Sequence, residues 1–200
     1  PAEITEEIKE KCRKNVGIEK DQFVLGYIGS IGTWYMLPEM MDYFRELQNE
    51  KPNARFLFVT GEAQEKIHQV AIEKGVDPEF ISVISVLHQE VPQYISIMDA
   101  SIFFIKPSYS KKASSPTKQG EIMAMGVPLI CNSNVGDTDI IVSRYEAGTV
   151  IKEFNETTYK NNIIQPEEFN PEAIASGARD YFALKEGVQR FLDVYQKIYE

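Results

Sequence analysis

The chain has 200 residues, 43% of them hydrophobic and 26% charged, enough apolar material for one globular core and too little charge for a disordered segment. Acidic side chains outnumber basic ones by 30 to 21, and the net charge of −9 argues against a general nucleic-acid or anionic-membrane surface. A phosphate ligand would have to be met by a local positive site. Cys12 and Cys131 lie far apart without metal spacing and read as buried free thiols of a reducing compartment. No apolar run reaches the roughly 20 residues that a bilayer requires.

Residues 1–22, PAEITEEIKEKCRK onward, read as a charged amphipathic helix and linker. The chain opens on Pro1 without a methionine and is expected to be a piece of something longer. From Phe23 the pattern alternates. FVLGYIG is a short apolar run ending in glycine, LPEMMDYFRELQNEK has helical spacing, and ARFLFVTG, EAQEKIHQVAIEKG and FISVISV follow. A second round runs through VPQYISIMD, ASIFFIK, SSPTKQGEIMAMG, VPLICNS, GDTDIIVSRYEAG and TVI. Short continuous runs rich in Val, Ile and Phe suit strands buried on both faces of a parallel sheet, and the segments between them have crossover length. The expectation is a doubly wound, mostly parallel α/β sheet of about six strands over residues 23–152, with helices on both faces. Residues 153–200 read as helices of the same domain, the last carrying Val188, Phe191, Leu192, Tyr195 and Ile198 on one face.

Ligands of such sheets bind beyond the carboxyl ends of the strands, which makes four strand-to-helix loops candidates. In GYIGSIGTWY, Gly29, Ser30 and Gly32 allow backbone N–H groups to approach a phosphate closely, although the spacing departs from GxGxxG and plain tight turns explain the glycines equally well. In SVLHQEVPQY, Val86, Leu87 and His88 end a strand before a helix started near Glu90 to Pro92. A lone histidine there lines a pocket or is structural, and with no second ligand at metal spacing a zinc site is rejected. In SSPTKQGEIMAMG, Ser115 is placed as the N-cap, Pro116 as the first helical residue, and Thr117 and Lys118 in a first turn whose free amides favour an anion. A lysine at a helix N-terminus is locally unfavourable unless an anion binds there, and Glu121, a buried-looking acid, stands one turn on. The bland alternative is an i,i+3 ion pair between Lys118 and Glu121. In SNVGDTDII, Gly136 and Asp137 precede a helix, and DTD reads as capping rather than as a metal site.

The ordered segments VPQYISIMDASIFFIKPS, SPTKQGEIMAMGVPLI and VGDTDII resemble the C-terminal, donor-binding half of family 4 (group 1) glycosyltransferases of the two-domain GT-B fold, from about Phe23 to Ile151 and onward. The GSIGTWY turn is similar to that of a subgroup met in capsule and lipopolysaccharide biosynthesis. The resemblance implies a Rossmann-like half that binds a nucleotide-diphosphate sugar, for retaining, metal-independent glycosyl transfer in cell-surface polysaccharide biosynthesis. No cofactor or metal is implied. The implied partners are the nucleotide sugar, an N-terminal acceptor-binding domain and a glycan or lipid-linked acceptor. The implied setting is the cytoplasm and the inner face of the membrane. On the matching positions it makes Glu121 the partner of the ribose hydroxyls, Lys118 with Gly29, Ser30, Gly32, Ser115 and Thr117 the phosphate site, and Val86 to His88 the base site. The pattern's first glutamate is replaced by Ala113, Ser30 stands where arginine is often found, and Tyr35 where a lysine is common. A non-catalytic α/β module, or an epimerase or phosphorylase relative, is the alternative.

Overall fold

The computed structural model describes residues 4–199. Thr5 opens helix α1 (Glu6–Asn15) by accepting the Ile8 N–H on its hydroxyl, with Glu6 and Glu7 in the positive first turn and Arg13 and Lys14 in the last. The helix is built into the domain: Cys12 is buried, and the Arg13 guanidinium donates to the carbonyls of Glu19, Gln22 and Ile97. Then follow β1 (Val24–Ile28), α2 (Leu37–Glu50), β2 (Arg55–Val59), α3 (Gln64–Glu73), β3 (Ile81–Ile84), the short α4 (Val91–Ile95) and β4 (Ala100–Phe103). The second half comprises α5 (Thr117–Ala124), β5 (Leu129–Asn132), α6 (Thr138–Arg144), β6 (Gly148–Ile151), α7 (Glu156–Lys160), α8 (Pro171–Phe182) and α9 (Leu184–Tyr199).

All six strands pair in parallel in the order β3-β2-β1-β4-β5-β6. The connections step one way from β1 to β3 and the other way from β4 to β6. Right-handed crossovers therefore put α2 and α3 on one face and α5 and α6 on the other. Burial on both faces explains the absence of alternation: every residue of β1, β4 and β5 is buried. The order reverses between β1 and β4, and a crevice opens there beyond the strand ends.

Polar side chains brace this reversal. Asn132, buried at the end of β5, accepts the Ile105 N–H at 2.8 Å and donates to the Ile105 carbonyl at 2.9 Å. Ile105 in turn bridges Tyr35, while the Met36 N–H reaches the Phe104 carbonyl and the Lys106 N–H reaches that of Trp34. One buried amide thus fixes the chain leaving β4 and, through it, the loop after β1.

The small residues of the second half are matched to close packing. A Cβ on Gly120 of α5 would meet the Phe182 ring of α8 at 2.8 Å. Tyr181 of α8 donates to the Asp137 carboxylate at 2.6 Å, so Asp137, placed at the start of α6 as expected, makes no side-chain cap. The last helix, α9, follows α8, and its stripe of Val188, Phe191, Leu192, Tyr195 and Ile198 is exposed rather than laid on the core. Among the described residues no helix is long and apolar enough to cross a membrane.

Replacing Asn132 by alanine strands the buried amide and carbonyl of Ile105, each worth about 1–3 kcal/mol when left unpaired. The expected result is a loss of about 2–4 kcal/mol in urea unfolding, with the two-state slope unchanged.

Candidate functional site

A cleft of about 390 Å³ lies at the β1/β4 reversal, lined by Ile28, Gly29, Ser30, Tyr35, His88, Val91, Thr117, Lys118 and Glu121. Six of the ten expected site residues come together there: Gly29, Ser30, His88, Thr117, Lys118 and Glu121. Gly32, Val86, Leu87 and Ser115 do not line it. A larger cavity of about 580 Å³ sits at the opposite end of the sheet, under α1. There Arg13 is committed to backbone carbonyls and Asp99 accepts the Val24 N–H at 2.7 Å, so it reads as a structural seam.

Helix α5 enters the cleft one residue later than expected. Pro116, in extended conformation, occupies the N-cap position that the sequence assigned to Ser115, and no side chain caps the helix. A proline carries no N–H to satisfy, and while the Gln119 N–H reaches the Pro116 carbonyl at 3.0 Å, the absence of an N-cap oxygen leaves the Thr117 and Lys118 amides open to an anion. Ser114, two residues before Pro116, packs closely on the loop after β5. Gly136 there has φ of +51°, and a Cβ on it would stand 1.7 Å from the Ser114 carbonyl oxygen.

Lys118 is the centre of the site. Only 8% exposed, it pairs with no carboxylate among the described residues. Its Nζ donates to the Tyr27 hydroxyl at 2.9 Å and lies 4.1 Å and 3.6 Å from the ring centroids of Tyr27 and Tyr35. The two rings meet edge to face at 5.8 Å. Tyr27 passes its proton toward the Ser30 carbonyl at 2.7 Å, so lysine, tyrosine and loop backbone form one chain of hydrogen bonds. Burial drives the ammonium down to about 7, with Glu121 opposing the fall. The same burial raises the Tyr27 hydroxyl far above its ordinary value. Gly29 faces this group with φ of +88°, and a Cβ there would lie 3.6 Å from Nζ. Glycine keeps that wall bare.

The alternative reading, an i,i+3 ion pair between Lys118 and Glu121, is not what forms. Glu121 turns the other way, with Oε1 3.3 Å from Nε2 of His88. Its side chain is 42% exposed and faces the cleft, which corrects its reading as a buried acid. A carboxylate at the surface, one turn into a helix, keeps free lone pairs for a polyhydroxyl ligand. His88 begins a short 3₁₀ turn, His88–Glu90, before α4, and its pairing with Glu121 joins two residues that the sequence placed in separate loops.

The glycine loop differs most from expectation. The Gly29 N–H is already spent on the Val59 carbonyl at 2.9 Å. Ser30 Oγ and the Gly32 N–H both donate to Oε1 of Glu62, at 3.0 Å and 3.3 Å, and Lys66 holds the other carboxylate oxygen. The Gly32 amide, ahead of Lys66 and Ser30, lowers the Glu62 carboxyl below its usual range. Two of the donors expected for phosphate thus already hold an anion supplied by the β2 end. Sequence reading missed Glu62, Tyr27 and Val91. Tyr27 and Glu62 stand at or just past a strand end and Val91 opens α4, positions that do not reveal which side chains converge.

The comparisons agree with this architecture. Residues 8–178 match the family model for glycosyl transferases group 1. No curated protein matches. Among solved structures, a glycosyltransferase from Rickettsia africae superimposes over the whole chain with a TM-score of 0.71 at 16% identity, covering 54% of that protein. WaaG, a glycosyltransferase involved in lipopolysaccharide biosynthesis, gives 0.64 at 19% identity over 88% of this chain and 47% of its own. Sucrose-phosphate synthase from Thermosynechococcus elongatus gives 0.67 at 14% identity, over 95% and 49%. At such identities the likeness establishes a shared fold, and the chain spans about half the length of these proteins. With a family model matched over most of its length and an all-parallel, Rossmann-like sheet in agreement, the chain belongs to the group 1 glycosyl transferases.

Proposed function

We propose that this chain is the donor-binding half of a retaining, metal-independent glycosyltransferase, and that its cleft takes the nucleoside diphosphate of a sugar nucleotide. The observation that carries the reading is Lys118: a buried cation with no carboxylate paired to it among the described residues, beside an uncapped helix N-terminus and facing an open crevice at the strand-order reversal. Burial of an ammonium is costly, and a diphosphate restores the charge partner that the fold withholds. Departure of the diphosphate during sugar transfer concentrates negative charge on its oxygens. The buried Lys118 and the α5 amides, already oriented, stabilise that charge more than the ground state. In this reading positive charge for the leaving group comes from the protein, with no metal or cofactor required.

Glu121 accepts from the ribose hydroxyls, for which the His88 ring must give way, and the base lies toward His88 and Val91. Gly29 admits the phosphates closely, while Ser30 and Gly32 join them only if Glu62 is displaced. Ser115 serves by placing the backbone of the loop. A preceding acceptor-binding half, accounting for the part of the relatives that this chain does not span, closes the cleft and presents a glycan or lipid-linked acceptor. The role in cell-surface polysaccharide synthesis, in the cytoplasm and at the inner face of the membrane, is supported by the resemblance of GSIGTWY and by the likeness to WaaG.

Calorimetric titration with UDP, GDP and ADP and their sugars tests the reading. One series is expected to bind, and Lys118→Ala or Glu121→Ala to weaken it about 10- to 100-fold, as loss of a charge-assisted hydrogen bond implies, without change in the circular dichroism. No binding at millimolar ligand by a folded sample overturns it.

The pH dependence follows from Lys118. With a folded value of about 7 against an ordinary 10.5, the lysine is charged below pH 7 and neutral between the two values in the free protein. A diphosphate requires the charged form, so binding takes up a proton above pH 7 and affinity falls by up to about tenfold per pH unit. Lys118→Met should remove this slope, and titration in buffers of different ionisation enthalpy counts the proton. Stability of the free protein moves the opposite way. Between about 7 and 10.5 the unfolded chain holds the extra proton, so this group's contribution to the unfolding free energy rises with pH.

A further inference from the structure

The segment after β4, residues 105–118, carries Lys106, Lys111, Lys112 and Lys118 and no acidic residue, in a chain whose net charge is −9. Only Lys118 is absorbed by the cleft. The segment is pinned beside the cleft by the Tyr35 to Ile105 bridge and by the Lys106 N–H on the Trp34 carbonyl at 2.8 Å. Lys106 and Lys112 are exposed. Lys111 lies over the Trp34 ring, its Nζ 4.4 Å from the centroid, and that tryptophan, next to the cleft residue Tyr35, is 44% exposed.

We propose that this rim is a subsite for an acidic sugar, a pyranose ring bearing a carboxylate or phosphate, with Trp34 taking the ring face and Lys111 and Lys112 the charge. The proposal rests on the donor-cleft reading for its location. A half-buried cation over an exposed indole ring is held only weakly, so Lys111 can exchange the ring for a full negative charge and leave the aromatic face free for a sugar's C–H surface. The field of a strongly acidic chain repels an anionic saccharide, and admitting one requires a local patch of opposite sign at the entrance. Four lysines on a segment with no acidic residue of its own, leading from the rim to the buried Lys118, make such a path. Binding of a membrane surface would need the same lysines, but gives no reason for the patch to continue into a closed-in lysine at the cleft floor.

The charged sugar is either the donor's own or a unit of the acceptor, and two arms separate these sources in the full-length protein. In the first, UDP-glucuronate is compared with UDP-glucose; in the second, a galacturonate oligomer is compared with a neutral maltose oligomer in the presence of saturating UDP. The acidic ligand is expected to bind at least about fivefold more tightly in one arm, the size of one exposed ion pair, with the advantage shrinking in added salt. Lys111→Ala with Lys112→Ala should erase that advantage while UDP alone binds as before, and Trp34→Ala should weaken acidic and neutral sugars alike. Equal affinities in both arms, or a preference that survives the double substitution, overturn the proposal. So does a lysine-dependent affinity for phosphatidylglycerol vesicles without any saccharide preference, which would assign the rim to a membrane surface. UDP binding by the unsubstituted protein reports separately on the cleft: its absence would fail the donor reading, whereas its presence with no acidic preference fails only this one.

Discussion

A lysine ammonium enclosed by two tyrosine rings ties the carboxyl ends of this sheet together. Lys118 belongs to α5, Tyr27 to β1 and Tyr35 to the loop after it, so the contact joins the two elements that flank the reversal in strand order. Ring faces and a phenol oxygen make the burial tolerable without neutralising the charge. An internal carboxylate at the same place would have given a satisfied ion pair and a closed floor. Tyrosines leave the cation open to an anion from outside, and the cost of that choice appears as the depressed lysine value.

The geometry around the lysine depends on residues far from it in sequence. Asn132 clamps Ile105, Ile105 pairs with Tyr35, and Tyr35 covers Lys118. Gly136 lets the loop after β5 press on Ser114 and so sets where α5 begins. On the other side Glu62 reaches from the end of β2 to gather Ser30 and Gly32. Its carboxylate occupies loop donors that a bare reading of the glycines would give to phosphate, and the remaining anion-seeking groups then concentrate at Lys118 and the α5 N-terminus. The loop after β1 is a shaped wall of the cleft, with its donors turned to Glu62.

Much of the fold was legible in the chain. Unbroken apolar runs such as FVLGYIG and VPLICN reflect strands covered on both faces, and helical spacing between them leaves parallel pairing as the economical arrangement. The stretch SPTKQGE announced a helix start with a lysine in the wrong place for the dipole, and that local conflict lies beside the cleft. Side-chain partnerships were less accessible. Glu121 sits in an apolar run, which made it look buried, yet its helix turns it to the cleft and to His88. Asp137 had the position of a cap but is taken by Tyr181, which is 44 residues away.

By itself, the sequence determined the parallel α/β class, the two rounds of strand and helix, and the identity of Lys118, Glu121 and Gly29 as residues to watch, because periodicity, helix-end chemistry and strand-end position are local properties. The tertiary structure alone decided that Tyr27 and Tyr35 enclose the lysine, that Glu62 holds the glycine loop, and that His88 meets Glu121. Each of those contacts joins residues from different crossovers. Which strand ends lie side by side is set by the order β3-β2-β1-β4-β5-β6, and that order comes from packing across the whole sheet rather than from any stretch of chain.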